Sequence, residues 1–256
     1  MSTIAIIQAR MGSTRLPGKV LKLLVGRPML WHIVHRVKAS EGVDSAIVAT
    51  SERSENDVIR DFCAKEGIDC YAGSEDDVLD RFHRIAEKTQ ATTVLRLTAD
   101  CPLADPDLIG RLITAYHIGN YDFMSTAAGA GASRDKQPRF PDGLDCEVMR
   151  AAVLNRAWCG ATKPLDREHV TPYVWRNPQF FKIGKLSPKY DLSHLRFTVD
   201  RAEDFELISR IYAALYSSER HFLLDDVLAF LAQHPGLAVV NHSGIGQEGY
   251  EALWEN

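Results

Sequence analysis

Long apolar runs are missing from this chain of 256 residues. No stretch reaches the roughly 18 apolar residues that mark a membrane-spanning helix. The first residues lead straight into a strand pattern, with no basic segment ahead of an apolar one, so no signal peptide is expected. Cysteine is sparse and odd in number: Cys63, Cys70, Cys101, Cys146 and Cys159, with no C-x-x-C pair. That pattern disfavours a disulfide framework or structural zinc site and suits a reducing compartment. The expectation is a cytoplasmic protein that meets no membrane. A basic surplus is missing too. Thirty Lys and Arg face 34 Asp and Glu, for a net charge of −4, whereas a nucleic-acid coat calls for a basic domain. No internal repeat and no low-complexity tract is present.

What remains is an ordinary globular composition, 45% hydrophobic and 25% charged. A chain of this length buries roughly 75% of its unfolded surface and needs no staples. The run Ile4, Ala5, Ile6, Ile7 reads as a buried parallel strand. Leu30, Ile33, Val34 and Val37 follow at one-face helical spacing. "AIVATS" (46–51), "DCYAG" (69–73) and "TTVLRLT" (92–98) read as further strands. Between them lie a helix after Ser54, its expected cap, ending at Gly67, and a helix after Ser74 with Val78, Phe82, Ile85 and Ala86 on one side. Pro106 suits the first turn of the next helix. Alternating strand and helix predicts an α/β fold, a mostly parallel sheet flanked by helices. Ligands in such sheets sit at carboxyl strand ends near a switch point.

Beyond residue 126 the pattern changes. "AAGAGASRDKQPRFPDG" (127–143) predicts a long loop. "LDCEV", "FFKIGKL" and "LRFTV" predict strands. "AAVLNRAWCGA", "PLDREHVTPYVWRNP", the face Phe205, Ile208, Tyr212, Leu215 and "LDDVLAFLAQHPG" predict helices, with Pro172 awkward inside the second.

Two phosphate motifs are absent. Gly12 and Gly18 enclose five residues rather than the four of a Walker A loop, and Val20 stands where a Ser or Thr would hold magnesium. The dinucleotide fingerprint is missing from this loop as well. Yet "IIQARMGSTRLPGKVL" (6–21) carries Arg10, Arg15 and Lys19 on a glycine-containing loop after the first strand. Such cations suit a polyphosphate; they equally suit a solvated surface loop. Asp100 and Asp200 each follow a predicted strand, where they serve either as ligand-site carboxylates or as caps. Glu203 and Asp204 fit the first turn of a helix, favoured there by its dipole. Asp77 and Arg81, four apart on a helix, are expected to pair.

The loop closely resembles the opening of the spore-coat-polysaccharide branch of the CMP-sugar cytidylyltransferases, relatives of enzymes that activate nonulosonic acids. "GSEDDVLDRF" (73–82), "RLTADCPLADP" (96–106), "FPDGLDCEV" (140–148), "DREHVTPYV" (166–174) and "RFTVDRAEDFELI" (196–208) match in order. Ala99 and Arg201 depart from the family pattern, which has glycine and a small or polar residue there; both touch the expected metal-site stretches.

The resemblance implies a single Rossmann-like nucleotidyltransferase domain over residues 1–256, with 127–190 an acceptor-binding and dimerisation subregion of a homodimer. It implies CMP transfer from CTP to a sugar acid. Asp100 and Asp200 would bind Mg²⁺, and Arg10 and Lys19 would join them in catalysis. Gln8, Ala9, Arg10, Gly12, Arg15, Lys19 and Ser74 would bind nucleotide. Arg139, Asp142, Asp145, Glu147, Arg167, Glu168 and His169 would bind the acceptor. Alternatives are a sugar-1-phosphate nucleotidyltransferase using another NTP, a nucleotide-binding subunit without turnover, and a glycosyltransferase, whose D-x-D motif is matched only by "DPD" (105–107) at a helix start.

Overall fold

The computed structural model describes residues 2–245 and 249–254. Among the described residues nine strands follow one another: β1 (Thr3–Gln8), β2 (Leu23–Leu24), β3 (Arg27–Pro28), β4 (Ser45–Ser51), β5 (Asp69–Gly73), β6 (Thr93–Thr98), β7 (Phe123–Thr126), β8 (Glu147–Arg150) and β9 (Ile183–Leu186). The helices are α1 (Met29–Lys38), α2 (Asp57–Glu66), α3 (Val78–Thr89), α4 (Pro106–Gly119), α5 (Gly129–Ala132), α6 (Ala151–Gly160), α7 (Pro164–His169), α8 (Pro172–Trp175), α9 (Ala202–Leu215), α10 (Leu224–Gln233) and α11 (Glu251–Trp254). No helix among the described residues is long and apolar enough to cross a membrane.

Seven strands form one sheet in the order β5-β4-β1-β6-β8-β7-β9. β8 runs antiparallel to both neighbours; every other pairing is parallel. β2 and β3 make a separate hairpin. The central strands are buried on both faces, which is why they read as unbroken apolar runs. Ala5 and Ile7 of β1 join one core, and Ile4 and Ile6 join the other. The chain steps outward from β1 through β4 to β5, then returns to place β6 on the other side of β1. That reversal is the switch point where an open α/β sheet leaves a crevice.

The predicted strand at 195–199 is not a sheet strand. Its single bridge joins Arg196 to Asp142. The Phe197 amide donates to the Asp142 carbonyl (2.6 Å) and the Val199 amide to the Asp100 carbonyl (2.8 Å). The segment therefore spans two separate loops, and it delivers Asp200 beside Asp100. Gly143 makes this possible: its φ is +98°, and a Cβ there would lie 2.4 Å from the Thr198 nitrogen. The predicted helix over 164–178 splits into α7 and α8, with Val170 at φ 71° between them and Pro172 opening the second piece. The long loop at 127–143 contains the short α5.

Two expected caps also move. Asn56 rather than Ser54 stands at the cap position of α2, and the α3 cap is Asp77, whose Oδ1 accepts from the Asp80 amide (2.8 Å). The hydroxyl of Ser74 accepts from the Asp77 amide (3.1 Å) and so shapes the turn before that cap.

Candidate active site

A cleft of about 540 Å³ opens at the carboxyl ends of β1 and β6. The loop after β1 forms one lip. Lys19 follows Gly18, and its ammonium donates to Asp100 Oδ2 (3.0 Å), Asp200 Oδ1 (2.9 Å) and the Val199 carbonyl (2.8 Å). Arg15 Nη2 lies 3.5 Å from Asp200 Oδ2. Neither carboxylate is used as a helix cap. Asp204 takes that role for α9, accepting from the amides of Asp200 (3.0 Å) and Arg201 (2.8 Å).

The charges set each other. Burial lowers the Lys19 pKa, but Asp100 and Asp200 outweigh it and the net shift is upward. Burial raises both aspartates, yet Lys19 pulls each below its ordinary value, joined at Asp200 by Arg15 and Arg196. All three groups are therefore ionised at neutral pH. Arg196 braces the far side: its Nη2 donates to Asp200 Oδ2 (2.7 Å) and its Nη1 to Asp142 Oδ2 (3.0 Å).

The opposite wall has its own polar chain. Arg96 of β6 donates to Glu147 Oε2 (2.6 Å) and to Gln8 Oε1 (3.0 Å). The Thr171 hydroxyl donates to Glu147 Oε1 (2.8 Å). Asp145 accepts from the Gly143 amide (2.9 Å); burial and the neighbouring Asp142 raise its pKa. Burial and then Arg96 lower the pKa of His169, so its imidazole is neutral at pH 7. Tyr250, from the segment just before α11, donates its hydroxyl to Asp142.

The structure brings Gln8, Ala9, Arg10, Gly12, Arg15, Lys19, Asp100, Asp145, Glu147, Glu168, His169 and Asp200 to the cleft wall. Ser74, Arg139, Asp142 and Arg167 are not among the residues lining it. Arg167 is tied to Asp77 Oδ2 through Nε (2.9 Å) and Nη2 (2.5 Å). Asp142 sits behind the cleft among Arg196, Thr198 and Tyr250. The Arg139 amide donates to Asp191. The "DPD" stretch serves structure: Asp105 accepts from the Leu108 and Leu224 amides (3.0 and 2.6 Å).

Sequence reasoning missed Arg96, Thr171 and Tyr250. Arg96 left a trace, a lone cation in the apolar strand "TVLRLT". Thr171 and Tyr250 left none, because only the folded chain carries them to Glu147 and Asp142.

Residues 4–226 match the family described as Cytidylyltransferase. The chain belongs to the cytidylyltransferase family. The ordered motifs of its sequence point to the same family. The spore coat polysaccharide biosynthesis protein SpsF of Bacillus subtilis is 34% identical, covering 81% of this chain and 85% of its own length. The 3-deoxy-manno-octulosonate cytidylyltransferase of Trichlorobacter lovleyi is 38% identical, covering 88% of this chain and 78% of its own. A cytidylyltransferase structure from Leptospira borgpetersenii superposes with a TM-score of 0.83 at 28% identity, covering 93% of this chain and 97% of that one. In this cytidylyltransferase the cationic lip and the acidic pair meet in one crevice, an arrangement suited to a polyphosphate.

A divalent ion needs oxygen ligands here. No cluster of three or more His, Cys, Asp or Glu suited to a metal occurs among the described residues. Two carboxylates nevertheless converge on one point, occupied by the Lys19 ammonium. That donor set fits Mg²⁺, which often takes one or two protein carboxylates and completes its shell with water and phosphate.

Proposed function

We propose that the chain transfers CMP from CTP to a hydroxyl of a sugar acid, releasing pyrophosphate. The observation that carries this reading is the convergence of Lys19, Asp100 and Asp200 at the switch-point crevice of a cytidylyltransferase. Arg10, Arg15 and Lys19 bind the triphosphate, with Gln8, Ala9 and Gly12 beside them. The acceptor oxygen attacks the α-phosphorus in line. The new O–P bond forms as the bond from the α-phosphorus to the bridging oxygen breaks, and the acceptor's hydroxyl proton passes to water. Arg15 and Lys19 stabilise the charge that grows on the leaving pyrophosphate. Asp100 and Asp200 would hold Mg²⁺, which supplies neutralisation of phosphate oxygens when bound.

The acceptor half of the cleft supports a polyhydroxylated substrate, since Asp145 and Glu147 are acceptors for sugar hydroxyls. Arg10, 52% exposed and no closer than 3.6 Å to a carboxylate, is available to an anionic group. The name borne by SpsF supports polysaccharide precursors as the setting, and that of the octulosonate enzyme supports a sugar-acid acceptor. The test is pyrophosphate release with CTP, magnesium and a panel of nonulosonic acids. Turnover with at least one acid and CTP is expected. Turnover only with UTP or GTP, or with none across the panel, refutes the reading.

A further inference from the structure

Helix α3 buries an arginine on its apolar side. Arg81 is 2% exposed, in the company of Val78, Phe82 and Ile85. Its side chain lines the cleft, and its Nε and Nη1 are buried without a hydrogen-bond partner. The partner expected from sequence, Asp77, is fully engaged: one oxygen caps α3 and the other holds Arg167. Glu75 acts on Arg81 through its field without a hydrogen bond; its Oε1 faces Arg10 at 3.6 Å and its Oε2 is buried without a hydrogen-bond partner. Space for the arginine stem is reserved, because a Cβ on Gly73 would lie 3.0 Å from Arg81 Cγ. A buried cation without a matched partner is costly. The protein keeps one here, with its donors unmet, in the wall of its main cleft.

Location narrows what those donors meet. The triphosphate machinery is Arg15, Lys19, Asp100 and Asp200. The acceptor wall is built by β8, α7 and α8. Arg81 reaches in from α3, which packs on α6 and α7 as well as on β1, β4 and β5; its stem lies against Gly73 at the end of β5, on the half of the sheet whose strand end supplies Gln8 and Ala9. A free anion meets the hydrated Arg10 and Arg15 first. A buried guanidinium already partly compensated by the field of Glu75 suits a neutral planar group with two adjacent acceptors. Cytosine offers O2 and N3 side by side. Uracil carries a hydrogen on N3, so one donor would face another. Sites that leave a buried donor unpaired reject the wrong ligand strongly.

We propose that Arg81 reads the base, donating to O2 and N3 of cytosine and selecting CTP over UTP. The inference rests on the CTP reading above and deepens it. Calorimetric titration without acceptor tests it, using CTP, UTP and 3-deaza-CTP, in which a C–H replaces N3. UTP and 3-deaza-CTP are expected to bind the unaltered chain about 10- to 100-fold more weakly than CTP. Arg81→Met removes a guanidinium whose Nε and Nη1 make no hydrogen bond; it is expected to fold, as a cooperative thermal transition would show, and to bind CTP and UTP about equally. If 3-deaza-CTP binds as CTP does, or if Arg81→Met keeps the preference for CTP, Arg81 does not read the base while the CTP reading stands. An equal loss for CTP and UTP in the variant also overturns it, assigning Arg81 to phosphate or ribose. If the unaltered chain binds no CTP, both the CTP reading and this inference fall.

Discussion

Replacing Lys19 with methionine tests the electrostatic core of the cleft. The ammonium holds two carboxylates within 3.0 Å, and the three side chains are 10%, 28% and 18% exposed. Removing one partner of a largely buried ion pair costs about 3–5 kcal/mol, because the remaining charge stays desolvated. Arg15 and Arg196 still face Asp200, so the lower end of that range is expected for Lys19→Met. The pH dependence carries the sharper signature. In the natural chain both aspartates have lowered pKa values. Their stabilisation is fully present above the unfolded carboxylate value of about 4 and is lost as pH falls through the folded values. In the variant, Asp100 keeps its burial and its acidic neighbour but loses its cation, so its folded pKa rises above the unfolded one. Its stabilisation is then present at low pH and lost as pH rises. Urea unfolding of both proteins at pH 7 and pH 5 measures the gap, which should be widest at pH 7. Millimolar magnesium should stabilise the variant more than the natural chain. A loss under about 1 kcal/mol at pH 7, with the same pH slope in both proteins, would falsify this account.

Other outcomes follow from single residues. Asp100→Asn should lower kcat at least about 10²-fold, equivalent to about 2.7 kcal/mol of transition-state stabilisation; unchanged turnover in a pyrophosphate assay would remove it from the machinery. Gly143→Ala should cost at least about 2 kcal/mol by chemical denaturation, since the residue sits at φ +98° against the Thr198 backbone. Arg96→Met strands Glu147, 11% exposed, and should cost about 3 kcal/mol in the same measurement. The His169 imidazole should titrate below the ordinary histidine value by NMR. Its lowered folded pKa adds stability above about pH 6.5, lost as pH falls towards the folded value.

The strands of the first half were legible because burial on both faces leaves an unbroken apolar run, as in Ile4–Ile7 and "AIVATS". The lip residues Arg10, Arg15 and Lys19 were legible because a motif places them together along the chain. Residues 195–199 misled because apolar alternation reports burial, not which backbone accepts the hydrogen bonds; the Phe197 and Val199 amides donate to two separate loops, at Asp142 and Asp100 respectively. The Asp77–Arg81 spacing misled for a related reason. A helical i,i+4 pair on the surface is worth a few tenths of a kcal/mol, and Arg167, arriving from α7, offers Asp77 two hydrogen bonds instead. Arg167 was chosen as a cation for an anionic acceptor, and charge says nothing of Asp77, which claims it.

The ion cluster joins residues far apart in the order of synthesis. Lys19 and Asp100 leave the ribosome long before Asp200 and Arg196, and Tyr250 comes later still. A nascent chain stalled near residue 190 would hold one lysine and one aspartate of the triad and no clamp behind them. The proposed nucleotide seat is thus incomplete on a growing chain until Arg196 and Asp200 have emerged.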